Sequence, residues 1–256
     1  MTHLIALTSP AMGSGKSVAA SRLVDEHGYT LVKFAGPLKD MTRALLTLNG
    51  AGDVEEYVEG NLKEEPIDHM ATWLRVRGPS ATLAMLRALW PHLGQTANRF
   101  DRHLLSERDV GLAGLRDITL QRLIDTLDAW LKLVAPRHNT PVTARRIMQT
   151  LGTEWGREML REDFWTAIAY NRCAYHLGSA GRVVIDDMRF ANELETVLSL
   201  GGTPVRIVRP SAQVTGGTHP SEGGLDGVEM REIVNDGTIA DLQTKIDALA
   251  LVDESL

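Results

Sequence analysis

The glycine-rich run Gly13-Ser-Gly-Lys-Ser17 is the first segment whose residue types and spacing point to chemistry. It lies between an apolar run, His3–Leu7, and apolar residues that recur at helical spacing. Small residues here let successive backbone N–H groups turn toward a phosphate, and the helix N-terminus adds its positive end. Lys16 then reaches the terminal phosphates, and the Ser17 hydroxyl completes a Mg²⁺ shell. We therefore predict a triphosphate-binding loop, with a glycine-rich surface turn as the alternative.

One position departs from the usual phosphate-loop pattern G-x-x-x-x-G-K-[ST]. The first glycine of that pattern falls at Pro10 in this chain. Either Pro10 takes its place, or Ser9 does so in a loop that is one residue longer. We expect the departure to affect the affinity of the loop for a nucleotide.

A second group of charged residues follows the predicted strand Arg182–Ile185. The adjacent carboxylates of Asp186 and Asp187 can hold Mg²⁺ directly or through water, and Arg189 can neutralise charge on a moving phosphoryl group. The alternative is a helix-capping aspartate beside a surface arginine. If the strand continues, only one carboxylate faces the site, and we favour Asp186.

Donors suited to a second phosphate or to a base edge occur in two further segments. Lys39 and Arg43 share one face of a predicted helix, where they form either a phosphate clamp or a solvated basic face. The segment Thr143–Arg157 combines guanidinium groups, an amide and an indole that either stacks on a base or belongs to the core. Its candidate residues are Arg145, Gln149, Trp155 and Arg157.

The elements between these segments predict an α/β fold with a parallel sheet of four to five strands. The predicted strands are His3–Ser9, Tyr29–Ala35, Arg182–Asp186 and Thr203–Val208. The predicted helices include Leu38–Leu48, Asn192–Leu200 and a closing helix that Thr238 caps. Because ligands of a parallel sheet bind beyond the carboxyl ends of its strands, the charged residues fall where a ligand is expected.

The stretch 68–141 differs in texture from the rest of the chain. It is helical by pattern and carries 10 Lys and Arg against 7 Asp and Glu, within an acidic chain. We predict a core at 1–67 and 142–256 and a helical insertion at 68–141 that binds an acceptor or forms a lid. The glycine-rich loop around His219 is either the other candidate for a lid or an ordinary polar loop.

The composition excludes several classes of protein. The net charge of −6 argues against a protein that coats polymeric nucleic acid. A single cysteine, Cys173, excludes an internal disulfide and a cysteine-based zinc site, and the eight histidines show no metal-ligand spacing. No apolar run approaches 18 residues, so we expect no membrane span and a cytoplasmic protein.

Six segments, taken in order, resemble the phage-type deoxynucleoside monophosphate kinases. The resemblance covers both ends of the chain and skips 68–141. The Gly-Thr-Glu-Trp-Gly-Arg and Asp-Asp-x-Arg-Phe-x-Asn-Glu segments are particular to that family, whereas the phosphate loop is generic. The matching segments are Leu7–Ser17, Phe34–Lys39, Gln149–Arg157, Val184–Glu193, His219–Glu222 and Asn235–Leu242.

The resemblance implies a three-layer P-loop fold and transfer of the γ-phosphoryl group of ATP to a deoxynucleoside 5′-monophosphate, with Mg²⁺ as cofactor. It also implies a homodimer and, if the chain is phage-encoded, the host cytoplasm. The implied ATP-binding residues are Gly13, Ser14, Gly15, Lys16, Ser17, Arg209, Asn235 and Gly237. The implied acceptor residues are Lys39, Arg43, Arg145, Gln149, Trp155 and Arg157. The implied catalytic residues are Lys16, Arg157, Asp186 and Arg189, and the implied metal ligands are Ser17, Asp186 and Asp187.

Two other functions are compatible with the same residues. One is a kinase similar to dephospho-coenzyme A kinase, and the other is a regulatory protein that binds ATP without turnover. The resembling family often has an acidic residue where Gly36 stands, so an acceptor-side carboxylate is either missing or supplied by Asp40. The base of the acceptor is left open, because an amide such as that of Gln149 pairs with several bases by flipping.

Overall fold

The computed structural model describes residues 3–11, 13–93, 115, 117–134, 141–211 and 224–254. The predicted lid segment His219–Glu222 lies outside the described residues. Contacts divide the chain into two compact units, which we call the sheet unit (1–34 and 169–256) and the helical unit (35–168). Among the described residues, no helix is long and apolar enough to cross a bilayer.

The sheet unit is built from strands and helices. They are β1 Leu4–Thr8, α1 Lys16–His27, β2 Tyr29–Val32, β3 Arg182–Ile185, α8 Ala191–Ser199, β4 Thr203–Val208, β5 Arg231–Val234 and α9 Ile239–Glu254. The elements of the helical unit are α2 Gly36–Asn49, α3 Val54–Val58, a 3₁₀ helix Asn61–Glu64, α4 Met70–Leu89, a 3₁₀ helix Trp90–Leu93, α5 Leu120–Val134, α6 Ala144–Thr150 and a π-helix Leu151–Leu160. Helix α7, Phe164–Gly178, begins in the helical unit and ends in the sheet unit.

The sheet has five parallel strands in the order β2-β3-β1-β4-β5, which confirms the predicted parallel sheet. Its outer strand β5 is not among the strands that the sequence pattern predicts. Only Ile233 of β5 is buried, so this strand lacks the apolar run that reveals the central strands.

Helices cover both faces of the sheet, and this confirms the predicted three-layer arrangement. Along β1, Ile5 and Leu7 pack with α1 and α9 on one face. Leu4 and Ala6 pack on the other face with α8 and the end of α7. Because neither face of β1 meets water, the strand reads as a continuous apolar run rather than an alternating one.

The helical unit has a core of its own. Helix α2 packs against α4, and α4 packs against α5. The largest fully buried side chains of this core are the aromatic rings of Trp130, Trp155 and Phe164.

The helical unit is larger than the insertion that the sequence predicts at 68–141. Its members α2 and α6 share the apolar core of α4 and α5, so the packing places 35–67 and 142–168 with the helices. The backbone N–H of Ile67 donates to the carbonyl oxygen of Val142 at 2.9 Å and joins the two ends of the predicted insertion. A role for this unit as a lid or an acceptor site remains a prediction.

Cys173 belongs to the core of the sheet unit. Its side chain is buried, and burial raises the pKa of the thiol to about 12. A thiol in such surroundings is a packing group rather than a nucleophile.

A charged cluster joins α1 to α9 at the surface of the sheet unit. The guanidinium of Arg22 donates to both carboxylate oxygens of Asp247, at 2.8 and 2.9 Å. His27 Nε2 lies 2.8 Å from Asp247 Oδ1. Asp247 therefore fixes the closing helix against the helix that follows the phosphate loop.

We expect Asp247 to make the stability of the protein depend on pH. The hydrogen bond from Arg22, followed by that from His27, lowers the pKa of Asp247 below its ordinary value. Because its pKa is lower in the folded state, ionised Asp247 stabilises the fold above about pH 4, and this stabilisation is lost as the pH falls further. Asp247→Asn should lower the Tm at pH 7 by about 2 °C, because the cluster is partly exposed.

The measurement is urea unfolding followed by circular dichroism between pH 7 and pH 3. The Asp247→Asn variant should lose less stability across this range than the wild type. Asp25→Asn is the matched control, since Asp25 is exposed on α1 outside the cluster. Equal pH dependence in Asp247→Asn and wild type would contradict the assignment.

Candidate functional site

The predicted phosphate loop lies between β1 and α1. Helix α1 begins at Lys16, and two glycines before it have positive φ angles, 70° at Gly13 and 105° at Gly15. The backbone N–H of Ala11 donates to Ser9 Oγ at 3.2 Å, which closes the turn that contains Pro10. The position that departs from the usual pattern is therefore held by a side-chain hydrogen bond.

Asn235, the residue that follows β5, holds the loop from the other side. Its buried side-chain amide donates to the carbonyl oxygen of Ser14 at 2.8 Å. A Cβ atom on Gly15 would lie only 2.7 Å from Asn235 Nδ2 and 2.7 Å from Leu242 Cδ2. Both the positive φ and the close approach therefore require glycine at this position.

A cavity of about 520 Å³ opens over the loop, within the usual size range of ligand sites. Every residue that the sequence predicts to bind ATP lines it, namely Gly13–Ser17, Arg209, Asn235 and Gly237. Val18, Thr238, Ile239 and Leu242 also line it, and sequence reasoning did not assign them. The side chains of Val18, Ile239 and Leu242 supply apolar surface, and Ile239 is largely exposed.

Asp186 lies beyond the carboxyl end of β3 and is buried. Its Oδ2 atom lies 3.1 Å from the ammonium nitrogen of Lys33, and no donor within the described part of the chain bonds its buried Oδ1 atom. Lys33 follows the last residue of β2, which pairs with the last residue of β3, so the sheet register brings Lys33 beside Asp186.

The Lys33 contact is a residue role that sequence reasoning missed. The predicted strand Tyr29–Ala35 is too long, because β2 ends at Val32 where its partner β3 ends. The sequence does show that Lys33 follows one strand and Asp186 follows another. Predicting their contact would also have required knowing that these two strands are neighbours in the sheet.

Lys16 lies within electrostatic range of the charges that follow β3. Burial of its ammonium group and, next, the positive charge of Arg189 lower the pKa of Lys16 below the ordinary 10.5, while Asp186 and Asp187 act in the opposite direction. The charges of Asp186, Asp187 and Arg189 thus act on Lys16 within the sheet unit, and their roles in phosphoryl transfer stay predictions.

Asp187 and Glu193 shape the segment that carries Arg189. Asp187 Oδ1 accepts the backbone N–H of Phe34 at 3.0 Å. Buried Glu193 accepts the backbone N–H groups of Arg189 at 2.6 Å and of Phe190 at 3.1 Å, at the start of α8. Sequence reasoning did not assign Glu193, which fixes the backbone on which Arg189 stands.

The residues present fit a Mg²⁺ ion. The Oδ1 atom of Asp186 is a buried carboxylate oxygen without a hydrogen-bond donor among the described residues, and the Ser17 hydroxyl stands at the start of α1. Within the described ranges, no group of three or more His, Cys, Asp or Glu side chains is placed to hold a metal. An ion held by Asp186 would therefore take most of its ligands from phosphate oxygens and water, as Mg²⁺ commonly does.

Three predicted acceptor cations of the helical unit, Lys39, Arg43 and Arg145, are paired with glutamates. Lys39 Nζ lies 2.9 Å from Glu59, and Arg43 binds Glu55 through two hydrogen bonds of 2.7 and 3.1 Å. Arg43 also bonds Glu59 at 3.2 Å, so the predicted shared face of Lys39 and Arg43 is confirmed. Arg145 forms an ion pair with Glu64. The partners Glu55, Glu59 and Glu64 come from one short acidic segment that sequence reasoning passed over.

Asp40, the candidate acceptor-side carboxylate, is held within the helical unit. Its Oδ2 atom lies 2.7 Å from His92 Nε2, and its Oδ1 atom accepts from Arg43 at 2.9 Å. Burial acts to raise the pKa of Asp40, but the hydrogen bonds and charges of His92 and Arg43 outweigh it and lower the pKa. Asp40 is therefore ionised and orients Arg43.

The position of Trp155 differs from the prediction, which placed this residue against the acceptor. Its side chain is fully buried and packs against Phe164 and Trp165 at ring-centroid distances of 5.5 and 5.8 Å. Its indole N–H donates to Thr126 Oγ1 at 3.0 Å. Gln149, in contrast, is exposed, and Arg157 is partly buried. The core needs the ring, because a buried indole with a satisfied N–H stabilises the packing of α5 on the π-helix.

A glycine-rich loop between a parallel strand and a helix, with a lysine and carboxylates at the strand ends, defines the sheet unit as a P-loop nucleotide-binding fold. A family model described as deoxynucleotide monophosphate kinase matches residues 102–246, more than half of the chain. The chain therefore belongs to the deoxynucleotide monophosphate kinase family, which confirms the resemblance and does not favour a dephospho-coenzyme A kinase.

Two curated relatives carry related names. A deoxynucleotide monophosphate kinase of Escherichia phage RB69 is 31% identical over 114 residues, which are 43% of this chain and 46% of the relative. A protein of Acanthamoeba polyphaga mimivirus named "Putative deoxynucleotide monophosphate kinase" is 26% identical over 236 residues, which are 91% of this chain and 89% of that protein. The match to the phage enzyme thus spans less than half of its length, whereas the match to the mimivirus protein spans most of both chains.

We expect Gly15→Ala to damage the loop. The new Cβ atom would collide with Asn235 and Leu242, and the positive φ would cost about 1–2 kcal/mol of unfolding free energy. ATP affinity should fall at least about tenfold, because the loop N–H groups would no longer converge. Gly178→Ala is the control, since a Cβ there meets no atom within 4 Å. If calorimetry gave Gly15→Ala the same ATP affinity as the wild type, the close approach of Gly15 to Asn235 and Leu242 would be refuted.

Proposed function

We propose that this protein transfers the γ-phosphoryl group of ATP to a deoxynucleoside 5′-monophosphate and releases ADP and the diphosphate. The observation that carries the proposal is the cavity over the phosphate loop, with Lys16, Asp186 and Arg189 together at the neighbouring strand ends. Family membership supports the same activity, because the matching model is described as a kinase of deoxynucleotide monophosphates.

The donor side of the proposal rests on the sheet unit. Backbone N–H groups at the start of α1 and the ammonium group of Lys16 bind the phosphates of ATP. Arg209 and the turn that follows β5 border the remainder of the nucleotide, where the cavity supplies both polar and apolar surface. Arg189 neutralises negative charge that develops as the phosphoryl group moves.

Ser17, Asp186 and Asp187 would hold Mg²⁺, directly or through water. When bound, the ion neutralises charge on the β- and γ-phosphates and orients the transferred group. Asp187 already accepts a backbone N–H from Phe34, which suits a supporting position. Lys33 holds the second oxygen of Asp186 and so directs Oδ1 away from the pair.

The acceptor side rests on the cations of the helical unit. The attacking atom is a phosphate oxygen that is already anionic at neutral pH, so the reaction needs positioning and charge neutralisation rather than a strong base. Lys39, Arg43 and Arg145 supply the positive charge, and Arg157 is the proposed catalytic arginine. Glu55, Glu59 and Glu64 neutralise the first three cations, so the acceptor phosphate has to compete with these carboxylates.

A coupled ADP-release assay tests the activity. The acceptors are dAMP, dGMP, dCMP and dTMP, their ribose counterparts and dephospho-coenzyme A. We expect turnover with at least one deoxynucleotide. Lys16→Met should lower kcat about 10³-fold, because it removes the ammonium group that donates hydrogen bonds to the phosphates of ATP. Lys132→Met, an exposed lysine on α5, is the control.

Two results would overturn the proposed function. Phosphorylation of dephospho-coenzyme A alone would replace the acceptor class. ATP binding without any product would instead identify a regulatory nucleotide-binding protein. The identity of the base, a homodimeric state and a cytoplasmic location remain predictions.

We expect Glu59→Gln to improve acceptor binding. Glu59 contacts both Lys39 and Arg43, so removal of its charge takes away the carboxylate that pairs with Lys39 and one of the three that bond Arg43. Both cations then bind the acceptor phosphate against fewer competing carboxylates. The KM for the acceptor should fall about threefold while the KM for ATP stays constant, given the modest strength of exposed ion pairs. Glu65→Gln removes the same charge from an exposed position nearby and serves as the control. A raised acceptor KM in Glu59→Gln would show that the ion pairs build the site instead.

A further inference from the structure

We infer that the π-helix Leu151–Leu160 aligns Arg145, Gln149, Thr153 and Arg157 into one row that binds the acceptor nucleotide. We further infer that Trp165 is the positioning residue that holds this helix in its widened form. Thr153 thereby becomes an additional acceptor-binding residue. The inference rests on the proposed function and names the surface that this function would use.

The row stands on one continuous helix. The junction residues Thr150 (φ −71°, ψ −33°) and Leu151 (φ −65°, ψ −40°) are both helical, so α6 runs into the π-helix without a break. At the other end, the backbone N–H of Arg161 donates to the carbonyl oxygen of Gly156 at 3.0 Å, five residues earlier. This spacing of hydrogen bonds is that of a π-helix.

The buried side of the helix shows the effect of the wider turns. Leu151 and Leu160 are both buried. In a regular α-helix of 3.6 residues per turn, nine residues would place them on opposite faces, about 180° apart. A π-helix advances by roughly 80° per residue, which returns nine residues to the same face.

The same geometry aligns the polar side. Arg145, Gln149, Thr153 and Arg157 follow one another at intervals of four residues; the first three are exposed and Arg157 is partly buried. A regular α-helix would rotate Arg157 by about 120° from Arg145. With wider turns after Thr150, the rotation falls to about 10–20°.

Trp165 packs against the middle of the widened helix. Its indole N–H donates to the carbonyl oxygen of Gly152 at 2.9 Å. A Cβ atom on Gly156 would lie only 2.2 Å from Nε1 and 2.5 Å from Cε2 of this ring. The ring therefore fits only against a glycine, and it satisfies a carbonyl of the π-helix.

Helix α5 fixes the same segment from another side. The guanidinium of Arg122 donates to the carbonyl oxygen of Leu160 at 2.8 Å, and Trp130 Nε1 donates to Thr150 Oγ1 at 3.2 Å. The π-helix is thus held at both ends, while Trp165 acts in the middle.

The chemistry of the row suits a nucleoside monophosphate. Two guanidinium groups bind phosphate oxygens, and an amide recognises the edge of a base. Thr153 stands between Gln149 and Arg157 in the row, and a threonine hydroxyl both donates and accepts hydrogen bonds. A helix that lost its wider turns would direct Arg157 away from the other three residues.

The test compares Trp165→Phe, Thr153→Val and Thr153→Ser in the full chain by steady-state kinetics and by calorimetric titration. The acceptor is whichever deoxynucleotide the wild type phosphorylates fastest. We expect Trp165→Phe to raise the acceptor KM about tenfold, because it removes the bond to Gly152, with the KM for ATP unchanged. Thr153→Val should raise the acceptor KM about fivefold, and Thr153→Ser, which keeps the hydroxyl, should restore it.

Trp73→Phe is the matched control, because it makes the same chemical change on α4 of the helical unit. If Trp165→Phe only lowered the Tm, or weakened ATP and acceptor binding equally, the positioning role would be overturned. An unchanged acceptor KM in Thr153→Val would remove that residue from the site. Because wild-type turnover is measured first, a lack of turnover counts against the proposed function, whereas these variant results count against the inference.

Discussion

The sheet unit depends on one close approach, between Gly15 of the phosphate loop and the side chains of Asn235 and Leu242. A buried hydrogen bond from Asn235 to Ser14 fixes the loop backbone, and no side chain larger than hydrogen fits between them. The loop is thus held by the residue that follows β5 and by α9, both distant in sequence. These same elements line the cavity over the loop, so the packing that fixes the loop also shapes the cavity.

Charge pairing is the second constraint, and it operates separately in each unit. In the sheet unit Lys33 pairs with Asp186, and in the helical unit glutamates pair with Lys39 and Arg43. Gathering like charges without partners costs free energy, and burial increases that cost. A protein that binds anionic nucleotides therefore carries carboxylates that occupy its cations when no ligand is bound. Its net charge of −6 is compatible with local cationic sites for this reason.

The helical unit positions its polar row by packing rather than by loop geometry. Trp155 packs in the core beneath α5, and the ring of Trp165 packs closely against Gly156. Trp155 belongs to the π-helix and Trp165 packs beside it, and both rings are buried rather than placed to stack on a base. A π-helix is rarely stable in isolation, so its persistence here reflects the fit of a large ring against a glycine.

The sequence alone determined the local features, because turn chemistry and apolar periodicity are properties of neighbouring residues. It correctly predicted the loop at Gly13–Ser17, the central strands, the cap at Thr238 and the charged strand ends around Asp186. Long-range packing, by contrast, set the strand β5, the pairing of Lys33 with Asp186, the burial of Trp155 and the π-helix. Each of these features depends on which distant segment packs against a residue. Polar residues at intervals of four occur in the sequence of an α-helix and of a π-helix alike. The sequence pattern therefore does not distinguish the two helices, and a packing neighbour such as Trp165 selects between them.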